Sequence, residues 1–371
     1  MTKQKIQWQD LHTSAEISLF SPDGKNNEMH VIMHVEPCND NFSEQWQRLI
    51  KSEERLLSMP DSQNLRKVFK RLLVSDATNQ SSILTPTLQH DIQSGCVVSI
   101  IQQPPLDGSK IAVWLYLNSG SNYEHHWVAN MVSEEEGSEA QTHELLDKYE
   151  KILCDKGMNI YDNCLRTWFY VRDVDTRYHG MVVARRENFT ANGLTSKTHY
   201  IASTGICGTP SNAKSIVQLD AYAIKDINPQ QIHYLYAPTH LNPTYEYGVT
   251  FERGTMIEYG DRRHVIISGT ASINNKGEVM HCGDIIKQTK RMWENVETLL
   301  NEAEASFNDV AQIIVYLRDT ADYAIVKKMF EERFTDTPYV ITLAPVCRPA
   351  WLIEMECIAI TQKGNGKYKN Y

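Results

Sequence analysis

The sequence predicts an α+β fold of two similar domains, each a mixed or antiparallel sheet covered on one face by two helices. The first observation is an internal repeat. The helix-like stretch QTHELLDKYEKIL (141–153) returns as QTKRMWENVETLL (288–300), 147 residues later (288 − 141). The second observation is a repeated closing strand with alternating apolar side chains, IVQLDAYAI (216–224) and LIEMECIAI (352–360). Strands packed on one side by two helices form a two-layer sandwich.

A further strand lies between the helix and the closing strand of each copy. In the first copy it ends in Arg172-Asp173, and in the second copy it ends in Arg318-Asp319, 146 residues later (318 − 172). The two copies therefore share one order of helix, strand and closing strand, which indicates a duplicated scaffold.

The first quarter of the chain has weaker patterns. Residues 1–94 are polar and are predicted to be irregular, except for a helix over NFSEQWQRLIKSEERLL (41–57). After them, CVVSIIQQ (96–103) and KIAVWLYL (110–117) have the β-branched and aromatic content of strands. The Pro, Asp and Gly residues between these two strands are typical of a turn.

The second copy has clearer element boundaries. HVIISGTASI (264–273) is a strand that runs into a bend of small residues, and Asp284 can cap the helix that follows. A strand, the helix ADYAIVKKMFEERF (321–334) and two closing strands complete the copy. The apolar stripe of the first of these helices consists of Met292, Val296, Leu299, Leu300 and Ala303.

The two copies need a connection, and residues 227–248 are rich in Pro, Asn and Tyr, as connections are. We place the boundary near residue 230. This gives an N-terminal domain at 1–229 and a C-terminal domain at 230–371, in keeping with the length of 371 residues.

Composition excludes several classes of protein. A formal net charge of −9 disfavours a nucleic-acid partner, which needs a basic face, but still allows a small anionic substrate in a locally basic pocket. No apolar run suits a signal peptide or a membrane span, so we expect a cytoplasmic protein with no membrane partner. The eight cysteines are scattered without a CxxC pair or a His/Cys ligand spacing, so we predict no metal and no cofactor.

Several blocks of the second copy resemble the Rid (YjgF-type) family. These blocks are ISGTASI, GEV, the helix segment EN…LL, YLRD and LIEMECIAI, which span roughly residues 264–360. Members of that family are small imine deaminases or ligand binders that form trimers, with ligands at the subunit junctions. The resemblance implies a Rid-like fold for both copies.

Sequence blocks in the first half of the chain indicate a more specific family with Rid-like domains. QPPLDG (103–108), RTWFYVRDVD (166–175), RRENF (185–189) and STGICG (203–208), followed by a Rid-like domain, resemble the chorismatases. Those are double-domain enzymes that remove pyruvate from chorismate. The resemblance therefore implies a chorismate-cleaving enzyme, with chorismate as its small anionic substrate.

Glu354 is the predicted acid/base residue. It occupies the third position of the closing strand, where the first copy has Gln218. Strand alternation places Leu352, Glu354 and Glu356 on one face. Two carboxylates on one face repel each other, and partial burial adds to the effect, so at least one pKa is raised. Glu356 corresponds to Asp220 in the first copy and is interpreted as structural.

Cys347 is the second predicted catalytic residue, and its role is implied by the resemblance. A cysteine at this position is similar to the chorismatase branch that forms 3-hydroxybenzoate, whereas the hydrolytic branch lacks it. A thiol can relay a proton or steer the ring intermediate, while a smaller apolar residue leaves room for water. We therefore predict 3-hydroxybenzoate rather than a dihydrodiol as the ring product.

The predicted substrate-binding groups are guanidinium groups and a bend in the backbone. Guanidinium groups suit the two carboxylates of chorismate because they bind carboxylates through paired hydrogen bonds. The Ser268-Gly269-Thr270 bend allows close backbone approach and offers N–H donors. The predicted binding residues are Arg166, Arg186, Arg253, Arg348, Gly269 and Thr270.

Two other functions and two assembly states remain open from the sequence. One alternative is a Rid-like imine or enamine deaminase, although TPYVITL (337–343) has no Arg where those enzymes carry one. The other is a small-metabolite-binding relative without catalysis. Two Rid-like units per chain are compatible either with a homotrimer or with a monomer that imitates part of the Rid trimer.

Overall fold

The computed structural model describes all 371 residues and shows three β-sheets with helices packed on them. The predicted α+β fold is confirmed. The sequence repeat predicts two units, whereas the strand order defines three, which we number in chain order. No helix of the protein combines the length and apolarity needed to cross a membrane.

Unit 1 has six strands in the order β1-β2-β3-β6-β4-β5, with a two-residue strand of unit 2 added beside β5. β4 and β5 run parallel, and every other neighbouring pair runs antiparallel. Its elements are β1 (Thr2–Trp8), β2 (Thr13–Phe20), β3 (Glu28–Val35), α1 (Phe42–Leu57), β4 (Arg66–Val74), α2 (Ala77–Gln93), β5 (Val97–Gln102) and β6 (Ile111–Asn118).

Unit 2 has a four-stranded sheet of order β7-β11-β8-β9, which is the unit 1 pattern without its first two strands. β8 and β9 are the parallel pair. Its elements are β7 (Glu124–Val132), α3 (Gly137–Asp155), α4 (Ile160–Asn163), β8 (Cys164–Val171), α5 (Val174–Ala191), β9 (Ala202–Cys207), β10 (Thr209–Pro210) and β11 (Val217–Lys225).

Unit 3 repeats the full unit 1 pattern as β12-β13-β14-β17-β15-β16, with β15 and β16 parallel. Helix α6 begins after Asp284, whose side chain accepts a hydrogen bond from the N–H of Lys287, as predicted for a cap. Its elements are β12 (Ile232–Leu235), β13 (Gly254–Glu258), β14 (Arg263–Ala271), α6 (Ile285–Glu302), β15 (Val310–Leu317), α7 (Tyr323–Arg333), β16 (Tyr339–Leu343) and β17 (Ile353–Thr361).

The prediction that residues 1–94 are irregular is wrong, because this segment forms four strands and two helices. Charged residues on β4 conceal the strand pattern. Lys70 is buried in an ion pair with Glu53 and Asp91, and Arg71 is buried beside Asp220 of unit 2. Since these partners are distant in sequence, no local alternation of apolar and polar residues reveals the strand.

The three units close into a ring within one chain. Each unit contacts both of the others, and each junction contains a buried ion pair, so the polar groups removed from water have partners. The pairs are Arg71–Asp220 at 3.1 Å between units 1 and 2, Arg166–Glu356 at 2.7 Å between units 2 and 3, and Arg262–Glu28 at 2.7 Å between units 3 and 1.

Strand register identifies equivalent positions in the three units. Glu354 on β17 pairs with Tyr316 on β15, and Gln218 on β11 pairs with Tyr170 on β8. In unit 1 the corresponding position on β6 is Ala112. The ring therefore has three equivalent positions, and only the one in unit 3 carries an ionisable side chain.

Candidate active site

A cavity with about 480 Å³ of empty space lies at the junction of units 2 and 3. Unit 2 contributes α5 and β9, and unit 3 contributes β14, β17, the connection before β13 and the loop before β17. The backbones meet closely here, because Ser203 N–H donates to Ser268 Oγ at 2.9 Å and Gly269 N–H donates to Thr204 Oγ1 at 2.9 Å. The site therefore depends on both units.

Glu354 lies in the wall of this cavity and is 5 % exposed. Burial and, to a smaller extent, the nearby Glu356 carboxylate raise the pKa of its carboxyl to about 8, against the opposing charges of Arg166 and Arg253. A carboxyl with this pKa is largely protonated at neutral pH and can donate a proton. Gly269 leaves room for it, since a Cβ at that position would collide with Oε1 of Glu354.

Glu356 lies behind Glu354 and has a structural role. It accepts hydrogen bonds from Arg166 Nη2 at 2.7 Å, Trp168 Nε1 at 2.7 Å and Thr204 Oγ1 at 2.5 Å. Arg166 therefore does not line the cavity, contrary to its prediction as a substrate-binding residue. Its guanidinium is buried at the junction of the units and offsets the charge of Glu356.

Thr270 also lies outside the cavity. Its hydroxyl is buried and donates to the carbonyl of Ser268 at 2.9 Å, so the side chain closes the bend locally. Of the predicted bend residues, only Gly269 lines the cavity.

Helix α5 brings Arg185, not the predicted Arg186, to the cavity. Arg185 is 1 % exposed and lines the cavity, while Arg186 faces solvent. Successive helical residues are rotated by about 100°, so neighbouring arginines cannot share one face. Arg185 Nη1 donates to Ser203 Oγ at 3.3 Å, and its Nε and Nη2 have no protein partner. Two buried N–H-bearing nitrogens are thus free to bind an anion.

Two more arginines lie around the cavity, as predicted. Arg253 is buried and its Nη2 donates to the carbonyl of Asn242 at 2.9 Å. Arg348 lies at the solvent side, where its Nη2 donates to the carbonyl of Tyr247 at 3.1 Å. The ring of Tyr247 contacts both guanidinium groups, with its centre 5.3 Å from Arg253 Cζ and 5.2 Å from Arg348 Cζ. The cavity therefore combines three cationic groups with one carboxylic acid.

Cys347 is half-buried in the cavity wall beside Glu354 and Tyr178. Burial and the neighbouring Glu354 raise the pKa of its thiol to about 12. The group is therefore a neutral thiol at physiological pH, not a thiolate nucleophile. Tyr178 on α5 is a cavity residue without a sequence prediction, although its spacing of seven residues from Arg185 places both on one helix face.

Comparisons with known proteins agree with this architecture. Residues 257–361 match the family model described as Endoribonuclease L-PSP. A RutC family protein of Pyrococcus abyssi is 39 % identical over 98 residues, covering 26 % of this chain and 76 % of the relative. The 3-aminoacrylate deaminase RutC of Acinetobacter baylyi is 31 % identical over 98 residues, covering 26 % of this chain and 77 % of the relative.

One further relative and one solved structure also match. A 3-hydroxybenzoate synthase of Streptomyces hygroscopicus is 27 % identical over 147 residues, covering 36 % of this chain and 42 % of the relative. A crystal structure of a chorismatase matches with a TM-score of 0.63 at 17 % identity, covering 81 % of this chain and 96 % of that structure.

The chain belongs to the RutC (endoribonuclease L-PSP) family. Within that class, the resemblance to the chorismatases predicted from the sequence is confirmed, since the chorismatase fold extends over most of the chain rather than over one unit.

Proposed function

We propose that this protein cleaves chorismate and releases pyruvate at the junction of units 2 and 3. The observation that carries the proposal is the pairing of a carboxyl group of raised pKa with three guanidinium groups in one cavity. Chorismate has two carboxylates and an acid-sensitive enol ether, so it needs both cationic anchors and a proton donor. The chorismatase fold and the similarity to a 3-hydroxybenzoate synthase support this substrate class.

Three arginines bind the substrate, and Glu354 transfers the proton. Arg185 and Arg253 are buried and anchor carboxylates, and Arg348 at the cavity mouth adds a third positive charge. Glu354 gives its proton to the enol ether as the bond between the ring carbon and the ether oxygen breaks. The enolpyruvate that leaves then becomes pyruvate.

Cleavage of chorismate can leave either of two ring products, and we propose the aromatic one. If water adds, the ring becomes a dihydrodiol carboxylate. If the neighbouring ring hydroxyl displaces enolpyruvate instead, its proton passes to the Glu354 carboxylate, and the epoxide that forms rearranges to 3-hydroxybenzoate, with no water consumed. A neutral Cys347 thiol next to Glu354 occupies space that water would need and supports the second route.

The test of this proposal is incubation with chorismate and chromatographic separation of the ring products. A ring acid without the enolpyruvyl group, formed only with active protein, is the expected result. Chorismate recovered unchanged would contradict the proposal. The main competing function is deamination of an imine or enamine, which the RutC deaminase relative favours. Release of ammonia from 3-aminoacrylate, the substrate in the name of that relative, without turnover of chorismate, would establish that alternative.

Replacing Cys347 with Ala is expected to change the ring product while pyruvate release continues. Alanine removes the thiol and leaves room for water, so dihydrodiol should appear where the native enzyme forms 3-hydroxybenzoate. Chromatography of both reactions at equal pyruvate yield measures the ratio. Cys282→Ala, at an exposed cysteine away from the cavity, is the matched control and should leave the ratio unchanged. A native enzyme that forms only dihydrodiol would refute the role proposed for the thiol.

The pH dependence should follow the protonated form of Glu354. Because an acid must hold its proton to donate it, kcat/KM is expected to stay level at low pH and to fall as pH rises through about 8. Chorismate remains a dianion over this range, so substrate ionisation does not contribute. The measurement is kcat/KM from quenched, chromatographed reactions between roughly pH 6 and pH 10. A rate constant that increases through this range would instead require the carboxylate as a base.

A further inference from the structure

We infer that a second small-molecule site adjoins the catalytic cavity across Arg253 and binds a ring-shaped hydroxycarboxylic acid, the chemical class of the proposed ring product. The chemical class of the ligand rests on the proposed function. The existence of the site rests on the geometry of the residues that surround it. We call this space the outer cavity; it lies between residues 195–200 of unit 2 and the connection 236–245 of unit 3.

The outer cavity has the walls of a small-molecule site. The space between these walls, counted out to open solvent, is about 500 Å³. Three tyrosine rings and two prolines form apolar walls that suit a flat ring, and three hydroxyl-bearing residues of the 195–198 turn also line the cavity. These wall and hydroxyl residues are Tyr200, Tyr236, Tyr245, Pro238, Pro243, Thr195, Ser196 and Thr198.

Arg253 supplies the group that recognises a carboxylate. Its side chain lines both cavities and is 5 % exposed. One terminal nitrogen, Nη2, bonds the carbonyl and side-chain oxygens of Asn242 at 2.9 and 3.2 Å, while Nε has no protein partner. A guanidinium has five N–H donors, so donors remain after these contacts. A buried donor without a partner is costly, which favours a ligand that pairs with it.

Glu252 supplies a partner for a ligand hydroxyl. One oxygen, Oε1, accepts the N–H of Tyr200 at 2.7 Å, and the side chain lines the outer cavity. Burial raises the pKa of this carboxyl, which makes it a better partner for a neutral hydroxyl. One guanidinium beside one carboxyl matches a ligand with a single carboxylate, and it disfavours dianions such as phosphate esters.

The rim of the outer cavity is an independent sign of a ligand. Tyr236 and Tyr245 are each 48 % exposed, although most large apolar side chains of this protein are buried. Both rings border the same opening. Exposed aromatic rings that converge on one opening are typical of sites that bind planar ligands.

Sharing Arg253 couples the two cavities. Because Arg253 keeps N–H donors beyond those bonded to Asn242, a carboxylate can bind on each side of it at the same time, and the ligand in the outer cavity weakens the contact of the guanidinium with the substrate. The product class is therefore expected to inhibit turnover with a component that added substrate does not overcome.

The test is isothermal titration of 3-hydroxybenzoate into the native protein and into Tyr236→Ala/Tyr245→Ala. We expect the double variant to lose one class of binding, or to weaken it about 10-fold or more, because it removes both aromatic rings at the opening; 10-fold corresponds to about 1.4 kcal/mol. Ile325→Ala, an equally exposed apolar position on α7, is the matched control and should bind as the native protein does. In kinetics, the double variant should show only competitive inhibition by 3-hydroxybenzoate.

Identical titrations of the native protein and the double variant would overturn the inference, as would an absence of any binding. Titration needs no turnover, so its result is separate from the proposed function. If chorismate is not cleaved but binding still depends on the two tyrosines, the outer site stands and the proposed function fails.

Discussion

Replacing Glu354 with Gln is expected to lower turnover of chorismate by about 10²-fold or more while the fold is retained. Glutamine keeps the size of the side chain but cannot donate an acidic proton. The fold should tolerate it because Gln218 already occupies the equivalent register position in unit 2. Burial also disfavours the charged form of Glu354, so the neutral amide loses little stabilisation.

The measurements for this variant are kcat and the thermal unfolding midpoint. Glu332→Gln on the exposed side of α7 makes the same chemical change away from the cavity and should leave both values unchanged. Turnover near the native value in Glu354→Gln, with the fold intact, would remove Glu354 from the chemistry.

Replacing Glu356 with Gln is expected to lower the free energy of unfolding by roughly 3–5 kcal/mol, the range for breaking one side of a buried ion pair. The centre of the ring holds two arginines and two carboxylates, so the native charges balance. These residues are Arg71, Arg166, Asp220 and Glu356, each no more than 2 % exposed. Removing the charge of Glu356 leaves a buried guanidinium without its opposite charge.

Chemical denaturation measures this loss. The double variant Glu356→Gln/Arg166→Met should recover part of it, because the uncompensated charge is removed as well. Glu304→Gln, in a surface pair with Arg263, is the control and should cost far less. Equal losses in the buried and surface variants would mean that the central charges do not stabilise the ring. Glu356 also raises the pKa of Glu354. In Glu356→Gln, the fall in activity at high pH should therefore occur at a lower pH than in the native protein.

The sequence predicts the repeat of units 2 and 3 but only α1, β5 and β6 of unit 1. The repeat is visible because units 2 and 3 keep similar helices and closing strands. Unit 1 lacks that similarity, and its β4 contains Lys67, Lys70 and Arg71, whose partners are far away in sequence. Only tertiary pairing makes such a strand possible in a core.

The residues of the candidate site are also predicted only in part: those of unit 3 are predicted from the sequence, and those of unit 2 are not. Glu354, Cys347, Arg253, Arg348 and Gly269 meet in one cavity, as the sequence and the resemblance indicate, while their catalytic and binding roles stay predictions. These residues all belong to unit 3.

The contributions of unit 2 are harder to foresee. Arg185, not the predicted Arg186, lines the cavity, because the rotation of α5 about its axis determines which of the two residues faces the junction of units 2 and 3. The buried stripe of Met181, Ala184 and Phe189 on the same helix gives that rotation and is present in the sequence. The packing of one unit against another depends on contacts between residues that are far apart in sequence. Local sequence patterns therefore could not place Tyr178 and Ser203 opposite Glu354.

The most direct measurement is pyruvate formation from chorismate, followed through the oxidation of NADH by added lactate dehydrogenase, with native protein and Glu354→Gln side by side. We expect the native protein to release one pyruvate for each chorismate consumed and the variant to be slower by about 10²-fold or more. No pyruvate above background with folded native protein, or equal rates with the two proteins, would contradict chorismate cleavage at this cavity.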